Sequence, residues 1–187
     1  MVAVKGPATD AALAHIQDLD YETIVSLQNG LDKYDVLKHY TEPEKILGMF
    51  SLSFGTVIEV GRINVSKIST TYIGELDGRK TERTSRLQEI CEASGMTAVV
   101  SENILSCEWS KKAHWIPISV VSTLAGSYFA QVFVNKELRR LYLQTMTEIT
   151  LVAAALGVEI IDIEDFEPRT LMNMSVNEAM DYLEDKG

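Results

Sequence analysis

The hydrophobic period changes partway along the chain, and that change limits the folds open to it more than any other feature. Up to about residue 100, short apolar and β-branched runs alternate with helical patterns; from Ser101 onward helical spacing dominates. Strand-like runs fall at 2–5, 23–27, 46–60, 63–68, 71–76 and 97–100. Between them the pattern predicts a helix carrying Ala11, Leu13 and Ile16, capped by Thr9 or Asp10. A short helix through Val36 and Leu37 begins at Asp32 or Asp35, and a longer one covers 81–94 and stops at Gly95. In the second half, Pro117 and Pro168 are expected to interrupt the helices. The cleanest helix is 136–156, where Leu138, Leu141, Thr145, Ile149, Val152 and Leu156 recur at steps of three or four. A second apolar strip on it runs through Tyr142, Ala153 and Ala154. Ser175 and Glu178 form a capping box that opens a last short helix. The expected fold is α/β over 1–100 followed by all-α over 101–187.

Composition narrows the classes. With 46% apolar residues in 187, the chain can bury a core of ordinary size. No run approaches the ~18 apolar residues of a membrane span, and the N-terminal residues carry no apolar stretch of signal-peptide length. Two cysteines, Cys91 and Cys107, fit a reducing compartment better than a disulfide framework. Seventeen basic against 27 acidic residues leave a net charge of −10, which repels phosphate backbones and anionic lipid alike. A cytoplasmic globular protein with no nucleic-acid or membrane partner is expected.

Common motifs fail a direct search. None of the eleven glycines lies two residues from another, no Gly-Lys pair exists, and G-x-S-x-G is absent. His15, His39 and His114 are dispersed and the cysteines lie 16 residues apart, so no metal site is expected. Gln28-Asn29-Gly30 follows an apolar strand. It reads as a plain turn, or as a polar group at a strand's carboxyl end, where open α/β sheets bind ligands. Lys111, in Trp109-Ser110-Lys111 at the opening of a helix, is either a solvated surface lysine or a cation kept for a substrate oxygen. Glu148 reads as a helix-packing or dimer-face carboxylate.

These pieces form a series: V-K-G at 4–6, S-L-Q-N-G-L at 26–31, E-K-I-L-G at 44–48, Y-I-G-E-L-D-G at 72–78, W-S-K at 109–111 and E-(x)8-G at 148–157. In this order and spacing the series resembles the ketopantoate reductases (2-dehydropantoate 2-reductases), over essentially the whole chain. The resemblance implies the later part of a Rossmann-type domain, then a helical domain like the C-terminal one of 6-phosphogluconate dehydrogenase. It also implies NADPH-dependent reduction of ketopantoate, a 2-keto acid, on the route to pantothenate and coenzyme A. Residue by residue, Lys111 matches the family's catalytic lysine. Asn29 matches an asparagine near nicotinamide and substrate, and Lys5 matches the lysine at the cofactor cleft. Many members dimerise through the helical domain, so a homodimer is expected.

The departures from the family are specific. Its G-x-G-x-x-G turn, which binds pyrophosphate, precedes the region matched by Val4, and its S-M-x-x-D and T-E-I-D segments, the latter with a catalytic glutamate, follow the region near Ser175. This chain alone is therefore expected to be inactive. The run Asp77-Gly78-Arg79-Lys80-Thr81-Glu82 looks like that late motif but precedes Lys111; it reads as a loop opening a helix, with Glu82 a decoy. The family usually has asparagines four and eight residues after the catalytic lysine, where this chain has Trp115 and Ser119. Ser119 can still hydrogen-bond a substrate. Two other readings stay open: a non-catalytic helical dimerisation module, and a reductase or binding protein for another 2-keto acid.

Overall fold

The structure, a computed structural model, describes residues 1–16 and 19–186. The chain divides into two compact units, residues 1–105 and 106–187.

In the first unit a 3-10 turn, Gly6–Ala8, leads into α1 (Thr9–Ala14), and a second, Pro43–Lys45, precedes β2. Thr9 is the first residue of that helix rather than its cap, because its hydroxyl is taken by the Gln28 amide; Asp10 lies within the first turn. β1 (Ile24–Ser26), α2 (Lys33–Leu37) and β2 (Ile46–Ser51) follow. The single strand expected over 46–60 is in fact two, β2 and β3 (Phe54–Glu59), because the Ser51 hydroxyl accepts from Ser53 N–H at 3.1 Å and turns the chain out of the ladder. β3 pairs with β4 (Arg62–Lys67) in a separate two-stranded sheet. β5 (Thr71–Glu75), α3 (Glu82–Ala93) and β6 (Ala98–Val100) complete the unit. Thr81 caps α3 with a reciprocal Thr84 bond, and Gly95, at φ +84°, ends the turn beyond it.

The main sheet runs β1-β2-β5-β6, with β1 parallel to β2, β2 antiparallel to β5, and β5 parallel to β6. Val2 adds a parallel bridge to Ser26 outside β1. β2 is buried on both faces. Ile46 joins Leu13, Ile24 and Leu37 in one core, whereas Leu47 and Met49 join Ile73, Cys91 and Ala98 in another. Gly48 and Gly74 stand opposite each other in the register, and a Cβ on either would lie 2.9 Å from Ile104 side-chain carbons. The two glycines form a slot for that side chain.

The second unit holds α4 (Ile104–Ala125), which begins in the first unit, and α5 (Phe129–Val134), α6 (Lys136–Ala155), α7 (Pro168–Asn173) and α8 (Val176–Asp185). Pro117 lies inside α4 instead of interrupting it: the ring is buried, and burial within a helix of 22 residues outweighs one lost backbone bond. Pro168 starts α7, where its missing N–H costs nothing. The Ser175–Glu178 capping box is present at the start of α8.

On α6 the apolar stripe read from the sequence is only partly the core face: Leu138 and Ile149 pack against the core, and of the second strip Tyr142 and Ala153 are fully buried while Ala154 is exposed. The buried residues are Arg139, Tyr142, Leu143, Met146, Thr150 and Ala153, while Leu141, Val152 and Leu156 are 38%, 51% and 64% exposed. Thr150 is tolerated inside because its hydroxyl donates to the Thr147 carbonyl, and Arg139 because its two terminal guanidinium nitrogens donate to the Phe133 carbonyl and to Glu184, although its Nε has no bonded partner. Among the described residues, no helix is long and apolar enough to cross a membrane.

Candidate functional site

Lys5 and Asn29 leave one edge of the first unit together. Val2 N–H donates to the Val25 carbonyl at 2.7 Å and Leu27 N–H to the Val2 carbonyl at 2.9 Å, so of the strand expected over 2–5 only a parallel bridge at Val2 forms beside β1. Both chains then exit at carboxyl ends, the position from which open α/β sheets meet ligands. Gln28 fastens the two exits. Its Nε2 donates to the Val4 carbonyl at 2.9 Å and to the Thr9 hydroxyl at 2.6 Å, and its Oε1 accepts from Ser26 Oγ at 3.1 Å. Gln28 is buried, whereas Lys5 and Asn29, its neighbours in the two motifs, are exposed. A Cβ on Gly6 would meet nothing within 4 Å, so the backbone beside Lys5 faces open space.

Lys111 and Ser119 belong to the second unit, both on α4 and both partly buried. Eight residues at 1.5 Å each separate them by about 12 Å along the helix, with Trp115 between. Trp109-Ser110-Lys111 lies within α4, not at its opening. Trp109 packs on the core, and the fully buried Ser110 hydroxyl accepts from Ile161 N–H at 2.8 Å. These two residues hold the helix in its unit; Lys111 follows them by one ~100° step. Glu148 is exposed on α6, and Glu82 is an exposed first-turn residue of α3.

Three polar groups stand out that the sequence did not single out. Glu75, from Y-I-G-E, is buried: burial alone would raise its carboxyl, but bonds from Arg83 at 2.5 and 2.8 Å and from Thr81 hold it below its ordinary value. It anchors the start of α3. His114 Nδ1 lies 2.8 Å from the Tyr142 hydroxyl, with the Phe166 ring 4.5 Å away. Burial pulls this imidazole down to about 4 and pushes the Tyr142 phenol up, so both are neutral at pH 7. Lys33 is 3% exposed, its Nζ among three backbone carbonyls. A helical spacing that counts only apolar residues gives no signal for a buried lysine or histidine.

Comparison with known proteins matches both halves. The family model for ketopantoate reductase PanE/ApbA matches residues 1–78, and that for the ketopantoate reductase PanE/ApbA C terminal matches residues 103–183. The chain belongs to the ketopantoate reductase family. Two curated relatives are similar: a 2-dehydropantoate 2-reductase of Archaeoglobus fulgidus, 25% identical over 158 residues, and one of Mesorhizobium japonicum, 24% identical over 180. Each match covers 84% of this chain but only 53% and 55% of the relative, so the chain spans about half the length of the ketopantoate reductases it matches. Among solved structures, a 2-dehydropantoate 2-reductase of Geobacter metallireducens has a TM-score of 0.80 at 21% identity, over 100% of this chain and 60% of that one. D-mandelate dehydrogenase with NADH gives 0.78 at 18% identity, over 97% and 56%. These likenesses fix the fold: the later part of a Rossmann-type domain followed by the family's helical domain.

Proposed function

We propose that these residues carry part of an NADPH-dependent 2-keto acid reductase that converts ketopantoate to pantoate, in the cytoplasm, on the route to pantothenate and coenzyme A. The observation that carries the reading is the match of both halves to the family's two models, the first match spanning Q-N-G at 28–30 and the second spanning W-S-K at 109–111. Lys5 and Asn29 suit the nicotinamide end of a bound NADPH. They are exposed, Lys5 three residues after the Val2 bridge and Asn29 three residues after β1, beside a backbone with room for close approach. The turn that would hold the pyrophosphate is not among these 187 residues.

NADPH supplies a hydride; the protein's part is to orient the reactants and to stabilise the charge that develops on the keto oxygen. Lys111 is the catalytic group in this reading. An ammonium of ordinary pKa ~10.4 is charged at pH 7 and can both stabilise an alkoxide and protonate it. Asn29 and Ser119 orient the substrate by hydrogen bonds. The exposed apolar residues of the helical unit, among them Val152 and Leu156, support a homodimer formed through that unit.

A second reading, reduction of a different 2-keto acid, is favoured by Trp115. An indole offers one N–H donor and no acceptor, so it cannot replace an amide toward a substrate hydroxyl. Its ring instead packs edge-on with Phe129 and Phe166, at 5.5 and 6.1 Å. The test joins the chain to a G-x-G-x-x-G-bearing segment of a matched relative and follows NADPH oxidation. The joined protein should turn over ketopantoate, while the 187-residue chain alone should not. Turnover of phenylglyoxylate but not ketopantoate selects the second reading. A folded joined protein inert to both supports the non-catalytic dimerisation module instead.

A further inference from the structure

The turn bearing Asn29 is held from inside by a buried lysine. Lys33 opens α2 four residues after Asn29, yet its side chain turns inward, away from solvent. Its Nζ donates to the Met49 carbonyl at 3.1 Å, the Gln28 carbonyl at 3.1 Å and the Ser26 carbonyl at 3.3 Å, and lies 4.8 Å from the centre of the Tyr34 ring. An ammonium has three donors and no acceptor, so three carbonyls satisfy it fully. A neutral amine would turn its lone pair on one of the three. Lysines are almost never fully buried unless paired, and these partners are the end of β1, the exit after it and the neighbouring β2.

The geometry has a consequence for Asn29. The Gln28 carbonyl and the Asn29 N–H share one rigid, trans peptide plane, in which the two bonds point in opposite directions. Drawing the Gln28 oxygen inward to Lys33 therefore aims the Asn29 N–H outward, at the carboxyl edge of the sheet. The Gln28 side chain, tied to Val4 and Thr9, fixes the other degree of freedom of the exit. We propose that Lys33 is a positioning residue: its buried ammonium, bonded to the Ser26, Gln28 and Met49 carbonyls, sets the peptide plane that presents Asn29 to the substrate and nicotinamide. This rests on the reductase reading for what Asn29 touches, but the positioning itself is measured with no ligand present.

The experiment is backbone ¹⁵N relaxation on the full chain. In the parent, Asn29 and Gly30 should have order parameters near ~0.85. In Lys33→Met, which keeps the stem and removes the donors, they should fall below about 0.6 while Ile73, in the middle of β5, keeps its value. In Lys33→Ala, millimolar n-propylammonium should restore the Asn29 and Gly30 values, and n-propanol, of the same size, should not. Equal effects of the two additives, unchanged values in Lys33→Met, or a parallel loss at Ile73 would each show that the side chain only fills space. A measurement on the unmodified chain covers the case in which both variants fail to fold. The Lys33 Nζ should give the ¹⁵N quartet of an NH3⁺ group exchanging far more slowly than that of the exposed Lys5. A triplet, or exchange as fast as Lys5, overturns the proposal.

Discussion

Replacing Gly48 by alanine should destabilise the first unit through a contact that a second substitution can relieve. The added Cβ would lie 2.9 Å from both Ile104 Cγ1 and Cγ2, and 2.9 Å from the Tyr34 hydroxyl, against 3.4 Å for ordinary contact. Each neighbour must retreat by about half an ångström, and Ile104, 1% exposed, has little room to do so. Overpacking of this kind costs about 1–3 kcal/mol. Ile104→Ala by itself should cost about 2–5 kcal/mol as a cavity. Because it deletes both Cγ atoms, Gly48→Ala/Ile104→Ala should be more stable than the sum of the single changes by about 1–2 kcal/mol. Gly74→Ala is the control. Its Cβ would meet the Ser101 carbonyl at 2.7 Å, and the Ser101 N–H is itself bonded to the Ile73 carbonyl, so Ile104→Ala should relieve it less. With two units in one chain a single midpoint is ambiguous, so the assay is native-state hydrogen exchange in the centre of β5, where 2 kcal/mol is about a 30-fold change in protection. Additive Gly48 and Ile104 effects, or a Gly48→Ala change below threefold, would refute the slot.

Two further predictions concern the helical unit. His114 is held near 4 by burial against an ordinary value of about 6.5, so below pH 6.5 the unfolded chain binds a proton that the folded chain refuses. Stability should fall from pH 6.5 to about 4 by up to about 3 kcal/mol, read as the urea midpoint of tryptophan fluorescence, and His114→Gln should flatten that slope; the same slope in the variant would refute the assignment. The exposed apolar side chains of α6 should make the chain associate. Sedimentation equilibrium at micromolar concentration should show a species above 20.8 kDa, and a monomer with no concentration dependence would contradict this.

The order of elements was legible in the sequence because strand and helix periods differ, and because Gly95 and the Ser175–Glu178 box mark their own ends. What failed did so where burial was not apolar. The core face of α6 includes Arg139 and Thr150, so a count of apolar residues caught Leu138, Tyr142, Ile149 and Ala153 but also took in the exposed Leu141, Val152 and Leu156. Pro117 signals a break locally, but its burial keeps α4 whole. Of the proposed site, Asn29 and Lys111 are legible as members of a motif series. The bonds beneath Asn29 are not: Gln28, though in the motif, acts through the Val4 carbonyl and the Thr9 and Ser26 hydroxyls, Lys33 acts through backbone carbonyls, and Val4, Thr9 and Met49 come from distant parts of the chain. The reason for glycine at 48 and 74 likewise lies outside both motifs, in Ile104 with the Tyr34 hydroxyl at 48 and the Ser101 carbonyl at 74.

The most direct test of the central claim, that this chain carries the catalytic lysine of a 2-keto acid reductase, compares adjacent lysines. In the chain joined to a pyrophosphate-binding segment, Lys111→Ala should lower kcat by roughly 100-fold or more, the usual loss for an acid or charge stabiliser. Lys112→Ala, turned ~100° around α4, should leave kcat within about threefold of the parent. Equal losses at the two positions, or a Lys111→Ala enzyme as active as the parent, would contradict the account.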